Sequence, residues 1–402
     1  MKILHTADWH LGKKLDRFSR IEEQIDLMNE IVEIAESENV DLVLIAGDLF
    51  DTFHPPTEAV DLFYKTLKRL SKNGKRPVIA IAGNHDSPSL IDAPDPLARE
   101  CGIILIGQPK AVVAPLILED FRISKSDEGF LELELEEHDF PIRIIHTAFA
   151  NEVRLKEYFG ENKEDELNLS LKNSWKRTAE KYCDENGVNM LMTHLYMNKR
   201  GAVLLEEPEG EKPIKIGNAD LIFSDAIPPQ IQYVALGHLH GHQNIGTENC
   251  PIIYSSSPLT YSFIECGQQK VVTIIEAFPN EKVSFKNMEL KNGKRLFRKT
   301  FSVIDEAEQW LRENPNCLVE LTMESDTYLK ADDNKRIFQA HNGIVHLIPK
   351  VKTQSMSQNS ASKSIDVTAD IMELFSDYFK SKNAGQEPNE EIIELFKEIQ
   401  KN

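Results

Sequence analysis

Five apolar runs punctuate this chain: Ile3 to His5, Leu42 to Ala46, Val78 to Ala82, Met190 to Thr193 and Tyr233 to Leu236. Each is short enough to read as a buried strand. Each also ends in a polar cluster: Asp8-Trp9-His10, Gly47-Asp48-Leu49-Phe50-Asp51, Gly83-Asn84-His85-Asp86, Thr193-His194 and Gly237-His238-Leu239-His240. Open α/β sheets bind ligands beyond the carboxyl ends of their strands. Residues far apart in sequence are therefore predicted to converge on one point.

Helix-period segments separate these strands. Ile21, Ile25, Met28, Val32 and Ala35 recur at spacings of four, three, four and three, which predicts an apolar stripe on a helix from Arg20 to Glu38. A second helix is predicted from Glu58 to Lys72. Alternation through Phe130, Leu131, Leu133 and Leu135, then Ile142 and Ile144, predicts strands, and a polar helix follows from Leu167 to Cys183. Together they predict a layered α/β domain over residues 1–278.

The texture then changes. Leu296 to Val303, Cys317 to Met323 and Ile344 to Val351 read as strands, Glu306 to Glu313 and Asn334 to Ala340 as helices, giving a small α+β module over 279–351. Residues 352–364, rich in Ser, Gln and Asn, read as a linker. Over 365–402, Val367, Ile371, Leu374, Phe375 and Tyr378 form one stripe, and Ile392, Leu395, Phe396 and Ile399 a second, separated by Gly385 and Pro388. A helix pair this short is expected to seek a partner groove.

A length of 402 residues suggests two or three domains. The balance of 46 basic against 65 acidic residues leaves −19, which argues against holding nucleic acid by a global field. A DNA-binding surface would have to be local or supplied by a partner. No apolar run approaches the ~18 residues that span a bilayer, and a motif at residue 8 leaves no room for a signal peptide. The expectation is a cytoplasmic protein without membrane contact. Five widely spaced cysteines show no CxxC pair, as reduced structural cysteines would.

The clusters carry the chemistry. Asp8 and His10 stand two apart, so at a strand end both are expected to project to one side; His238 and His240 repeat the spacing. A single carboxylate such as Asp48 can bridge two cations, and Asn84 adds a neutral oxygen. This mix of hard oxygens and imidazoles suits Mn²⁺, Fe²⁺ or Zn²⁺ better than Mg²⁺ alone, and the lack of thiolate argues against structural zinc. One such cluster arises easily by chance; five in this order do not. Lys13, Lys14, Arg17 and Arg20 could contact phosphates but read more readily as a solvated helix start, and His54 and His242 could touch substrate but read at least as readily as exposed loop residues. His5, His138, His146, His341 and His346 have no motif context.

The order DxH, GDxxD, GNHD, TH and GHxH resembles the calcineurin-like metallophosphoesterase superfamily. "TADWHLGK", "GDLFDTFHPP", "IAGNHDSP", "MTHLY", "YVALGHLHGHQ" and "YSSSPLTYSFIE" resemble, within it, the nuclease subunits that work with an SMC-like ABC ATPase. That family pattern usually has Gly where this chain has Ser256. The resemblance covers about the first 270 residues and implies a four-layer α/β/β/α sandwich with a capping domain at 279–351 and a partner-binding helix pair at 365–402. It implies two divalent ions, most readily Mn²⁺, one held by Asp8, His10, Asp48 and His240, the other by Asp48, Asn84, His194 and His238. His85 would be the proton donor, with Asp51 behind it fixing the ring. The implied activity is exonuclease and hairpin-opening endonuclease action on double-stranded DNA, by a homodimer within a heterotetramer. A phosphoesterase for small diesters is the alternative, and a scaffold without chemistry is disfavoured by the intact residue set.

Overall fold

Strands Lys2–Thr6, Leu42–Ala46, Val78–Ile81 and Ile103–Ile106 lie parallel and side by side. Their residues are almost wholly buried, as apolar strands covered on both faces must be. Val271–Glu276 adds antiparallel to Lys2–Thr6, and Ser284–Glu289 pairs with it to complete a six-stranded sheet. The expected boundary at 278 thus falls inside a hairpin, because the edge strand pairs although its side chains are mostly exposed. A second sheet of eight strands runs from Gln243–Asn244 through Ile252–Tyr254, Tyr233–Gly237, Val188–His194, Ile142–Thr147, Phe130–Leu135 and Phe121–Asp127 to Leu116–Ile117.

This computed structural model describes residues 1–160, 163–203, 205, 221–325, 329–351, 371–382, 388, 392–394 and 396. One hydrophobic cluster joins the first sheet to inward residues of the second, including Leu131, Ile144, Met190 and Ala235, and to helices Ile21–Ser37 and Thr57–Leu70. Outward residues of the second sheet, including Ile145, Leu191, Val234 and Leu236, form another with Leu167, Leu171, Trp175 and Ala179 of helix Lys163–Tyr182. The alternation along each strand assigns its residues to opposite clusters.

The buried stripe of Ile21–Ser37 is rotated from the predicted one. Ile25 is 42% exposed, whereas Gln24, Leu27, Met28, Ile31, Val32 and Ala35 are buried. Gln24 explains the rotation: its side chain donates to His10 O at 2.8 Å and accepts from Gly12 N at 2.9 Å. Those bonds turn that face toward the loop after Lys2–Thr6.

Strands Arg295–Phe301, Cys317–Ser325 and Ile344–Val351 form a parallel three-stranded sheet, with Cys317–Ser325 central. Helices Ile304–Glu313 and Ala331–Ala340 pack on it through Ala307, Leu311 and Ile337. Its other face meets the loops after the first and last motifs: Leu296 and Leu318 pack with Phe263, Leu15 and Phe18. Met1–Val351 is one compact unit and Lys352–Asn402 a second. In the second, helix Ile371–Lys382 carries Phe375, whose ring stacks on Phe396 with centroids 3.9 Å apart. The predicted linker, Val367, Leu395 and Ile399 lie outside the described residues. No disulfide forms among the described residues, and no helix among them is long and apolar enough to cross a membrane.

Candidate metal centre

All five clusters meet where the carboxyl ends of the two sheets face each other. Four of the side chains sit on backbone that L-residues rarely adopt: φ is +55° at Asp8, +43° at His10, +49° at Asp48 and +102° at His238. Asp8 and His10 therefore owe their common direction to a left-handed turn past the strand, not to the strand pleat that their spacing suggested. Such strain costs roughly 1–3 kcal/mol per residue and collects at functional sites. Two glycines permit the close approach. A Cβ at Gly83 would stand 2.1 Å from Asp48 Oδ1, and one at Gly47 2.2 Å from His194 Nδ1.

Ligand-capable atoms gather in groups: Asp8, His10 and His240; Asp48, His194 and His238; and His10, Asp51 and His85, each within 4.8 Å. His10 Nε2 faces His240 Nε2 at 3.0 Å, and His194 Nε2 faces Asn84 Oδ1 at 3.0 Å. Asp48 Oδ2 lies between, 3.6 Å from His10 Nε2 and 3.3 Å from His194 Nε2. His194 Nδ1 donates to Ala46 O at 2.8 Å, which leaves Nε2 as the coordinating atom.

The electrostatics favour a cation. Burial pushes the Asp8 carboxyl up to about 7, despite the histidines beside it. Its Oδ2 is buried with no hydrogen-bond partner among the described residues. Burial also raises Asp48, yet His194, His10 and His85 outweigh it and hold the carboxyl low. His194 rises to about 9, because Asp48 and Asp8 overcome its desolvation. Carboxylates and imidazole nitrogens converging in a buried pocket, a carboxylate oxygen orphaned, fit a divalent metal site.

Asp51 departs from its expected part. His85 Nδ1 donates to the main-chain oxygen of Asp51 at 2.8 Å, while the Asp51 carboxylate pairs with Lys13 Nζ at 2.8 Å. The basic cluster divides as well. Arg20 is buried and bonded to Glu23 and Thr260 O, Arg17 reaches Ile344 O, and Lys13 is tied to Asp51, so none of these three stands as a simple solvated charge. His54 is exposed, and His242 Nε2 meets Asn287 Nδ2 at 2.8 Å. His5 is buried between Tyr233 Oη and Leu236 O. Ser256 keeps the glycine-like backbone of its turn, at φ +79°, with Oγ accepting from Val271 N at 3.1 Å.

Sequence reading missed three supports. The buried Asp86 carboxylate accepts the main-chain N–H groups of Leu49, Phe50 and Gly83 at 3.0, 2.9 and 2.8 Å, tying two loops together. Burial and the neighbouring Asp48 raise it to about 6. Arg154 donates to Gly83 O and Asp86 O, both at 2.8 Å. Glu265 reaches His240 from behind. Asp86 and Glu265 stood inside recognised motifs as a signal; Arg154 gave none.

Known proteins resemble this chain over most of its length. The calcineurin-like phosphoesterase family matches residues 1–242. The SbcD subunit of the SbcCD nuclease of Bacillus subtilis (strain 168) is 33% identical over 408 residues, covering 99% of this chain and 97% of that one. The SbcD subunits of Staphylococcus saprophyticus and Staphylococcus epidermidis are each 29% identical, over 74% and 70% of this chain and 70% and 67% of theirs. A dimetal phosphatase from Danio rerio superposes with a TM-score of 0.41 at 11% identity, over 73% of this chain and 99% of that one. The family match spans every residue of the donor clusters, and the Bacillus likeness runs nearly end to end: the chain belongs to the calcineurin-like phosphoesterase family, within the group of SbcD nuclease subunits.

Proposed function

We propose that this chain is the nuclease subunit of a DNA-processing complex, an exonuclease and endonuclease that hydrolyses phosphodiester bonds at double-strand ends and hairpins in the cytoplasm. The observation that carries the reading is the pair of donor groups flanking Asp48, whose Oδ2 lies within 3.6 Å of an imidazole from each side. Asp8, His10, Asp48 and His240 would hold one divalent ion, and Asp48, Asn84, His194 and His238 a second, with Mn²⁺ the expected metal. Bound there, the ions would supply Lewis acidity, making water a better nucleophile and neutralising charge on the phosphoryl oxygens.

The chain's own residues do the rest. His85 donates its Nδ1 proton to Asp51 O, so Nε2 is the atom that delivers a proton to the leaving oxygen. Asp86 and Arg154 hold the loop that carries Asn84 and His85. The two sheets with helices packed outside them support a four-layer α/β/β/α sandwich, with residues 279–351 as a cap that would help present DNA. An SbcC-like ABC ATPase is the proposed partner, consistent with relatives named for the SbcCD complex, and it would supply the basic surface that a net charge of −19 lacks. The helix pair after residue 365 would grip that partner, two copies of each chain making a heterotetramer.

The test is to purify the chain with Mn²⁺, alone and with a candidate ATPase, and assay double-stranded ends, hairpins and a chromogenic diester. Cleavage of DNA in either condition is expected. Activity confined to the diester would favour a small-substrate phosphoesterase instead.

A further inference from the structure

Behind His240 the chain buries two opposite charges. Glu265 and Lys270 are 3% and 7% exposed, and Lys270 Nζ bonds Glu265 Oε2 at 2.6 Å. Their other bonds converge on one residue. Glu265 Oε1 lies 3.2 Å from His240 Nδ1, and Lys270 Nζ donates to the main-chain oxygen of His240 at 2.9 Å. Ser262 Oγ donates to Glu265 Oε1 at 3.1 Å, and Lys270 also reaches Ser257 Oγ at 2.9 Å. One ion pair therefore holds both the ring and the backbone of His240.

A buried ion pair is weak evidence for stability, since desolvating the charges costs several kcal/mol per ion. What this pair adds is direction. The Nδ1 atoms of His194 and His85 face main-chain carbonyls, whereas that of His240 faces a carboxylate. An ionised acceptor fixes the ring tautomer and makes the opposite nitrogen a stronger donor. That opposite atom is Nε2, the one that meets His10 Nε2 at 3.0 Å.

We propose that Glu265 is the positioning residue for His240, holding its proton on Nδ1 and aiming its Nε2 lone pair at the ion shared with Asp8 and His10, with Lys270 fixing the carboxylate and the His240 backbone together. This rests on the reading of His240 as a metal ligand. It also makes the two ion sites unequal, because Glu265 supports only the group with Asp8 and His10.

The test uses the full chain labelled with ¹⁵N-histidine, unaltered and as Glu265→Ala and Glu265→Gln. In metal-free protein, the ring nitrogen signals of His240 are expected to report the Nδ1–H tautomer, and Glu265→Ala to lose that preference. In calorimetric Mn²⁺ titration, one binding event is expected to weaken about 10- to 100-fold, the other staying unchanged, with Glu265→Gln in between. If Glu265→Ala fails to fold, Glu265→Gln carries both measurements. An unchanged tautomer, unchanged Mn²⁺ affinity, or equal weakening of both events alongside a lower melting temperature would each overturn the proposal. Absence of Mn²⁺ uptake by the unaltered chain would instead defeat the metal reading, while the tautomer still decides what Glu265 does.

Discussion

Asp51 divides its labour between main chain and side chain. Its carbonyl oxygen accepts from His85 Nδ1, and its carboxylate pairs with Lys13. Removing the carboxylate leaves the histidine held, so Asp51→Ala is expected to lower kcat on a diester by less than about tenfold, whereas His85→Ala loses about 10²- to 10⁴-fold, the usual worth of a general acid. Both variants should still bind Mn²⁺, and Asp48→Ala should not; steady-state kinetics beside metal titration checks all three. Equal losses from Asp51→Ala and His85→Ala would return the orienting role to the carboxylate. Asp86 makes a stability prediction of its own. Its carboxylate accepts three buried main-chain N–H groups, and leaving them unsatisfied at ~1 kcal/mol or more each predicts a loss of about 3 kcal/mol in Asp86→Ala. Urea unfolding of the metal-free chain measures it, and a loss under about 1 kcal/mol would mean that water replaces the carboxylate.

Among the elements, one histidine bridges the three-stranded sheet of residues 295–351 and the hairpin after the first motif. His346 Nε2 meets Asp16 Oδ2 at 2.5 Å and its Nδ1 meets Glu320 Oε2 at 3.0 Å, while Arg298 shares Glu320 and Phe263 lies beside the ring. Desolvation works against the imidazolium, but the two carboxylates prevail and raise His346 above its ordinary 6.5. A raised folded value means that the contribution is complete below pH 6.5 and is lost as pH rises through the folded value. Protection of the amides in Ile344–Val351, relative to their intrinsic exchange rates, should therefore fall as pH rises above 6.5, a response that His346→Gln abolishes. Equal pH response in the variant would remove His346 from this role. The same scale holds the clearest departure from periodicity. Ile21 to Ala35 predicted a stripe through Ile25, but the polar Gln24 is inside and Ile25 outside, because bonds to the first catalytic loop decide the helix rotation. Hydropathy has no means of encoding them.

For the whole molecule, the chain forms two compact units. The donor groups lie in Met1–Val351, and the Phe375–Phe396 stack belongs to the second unit. Replacing Phe375 with Asp in the full chain should unstack the pair, weaken capture by an SbcC-like ATPase at least about tenfold as loss of a buried aromatic anchor does, and leave Mn²⁺-dependent diester cleavage intact. Pull-down and diester kinetics on one preparation check this. Loss of diester cleavage together with capture would show that the second unit serves the catalytic centre directly.

The sequence by itself determined the strands that carry the clusters, the order of the clusters and the candidate donor residues, because a buried strand needs a run of apolar residues and metal chemistry needs carboxylates and imidazoles at its end. It also carried the strand Ile344–Val351 to its observed ends. Tertiary structure alone decided that the Asp51 backbone accepts from His85, that Asp86 ties two loops together, and that Glu265 and Lys270 stand behind His240. The reason is physical. Local pattern records what one segment buries, whereas these contacts join atoms 25 or more positions apart, and their geometry exists only once two sheets have packed face to face.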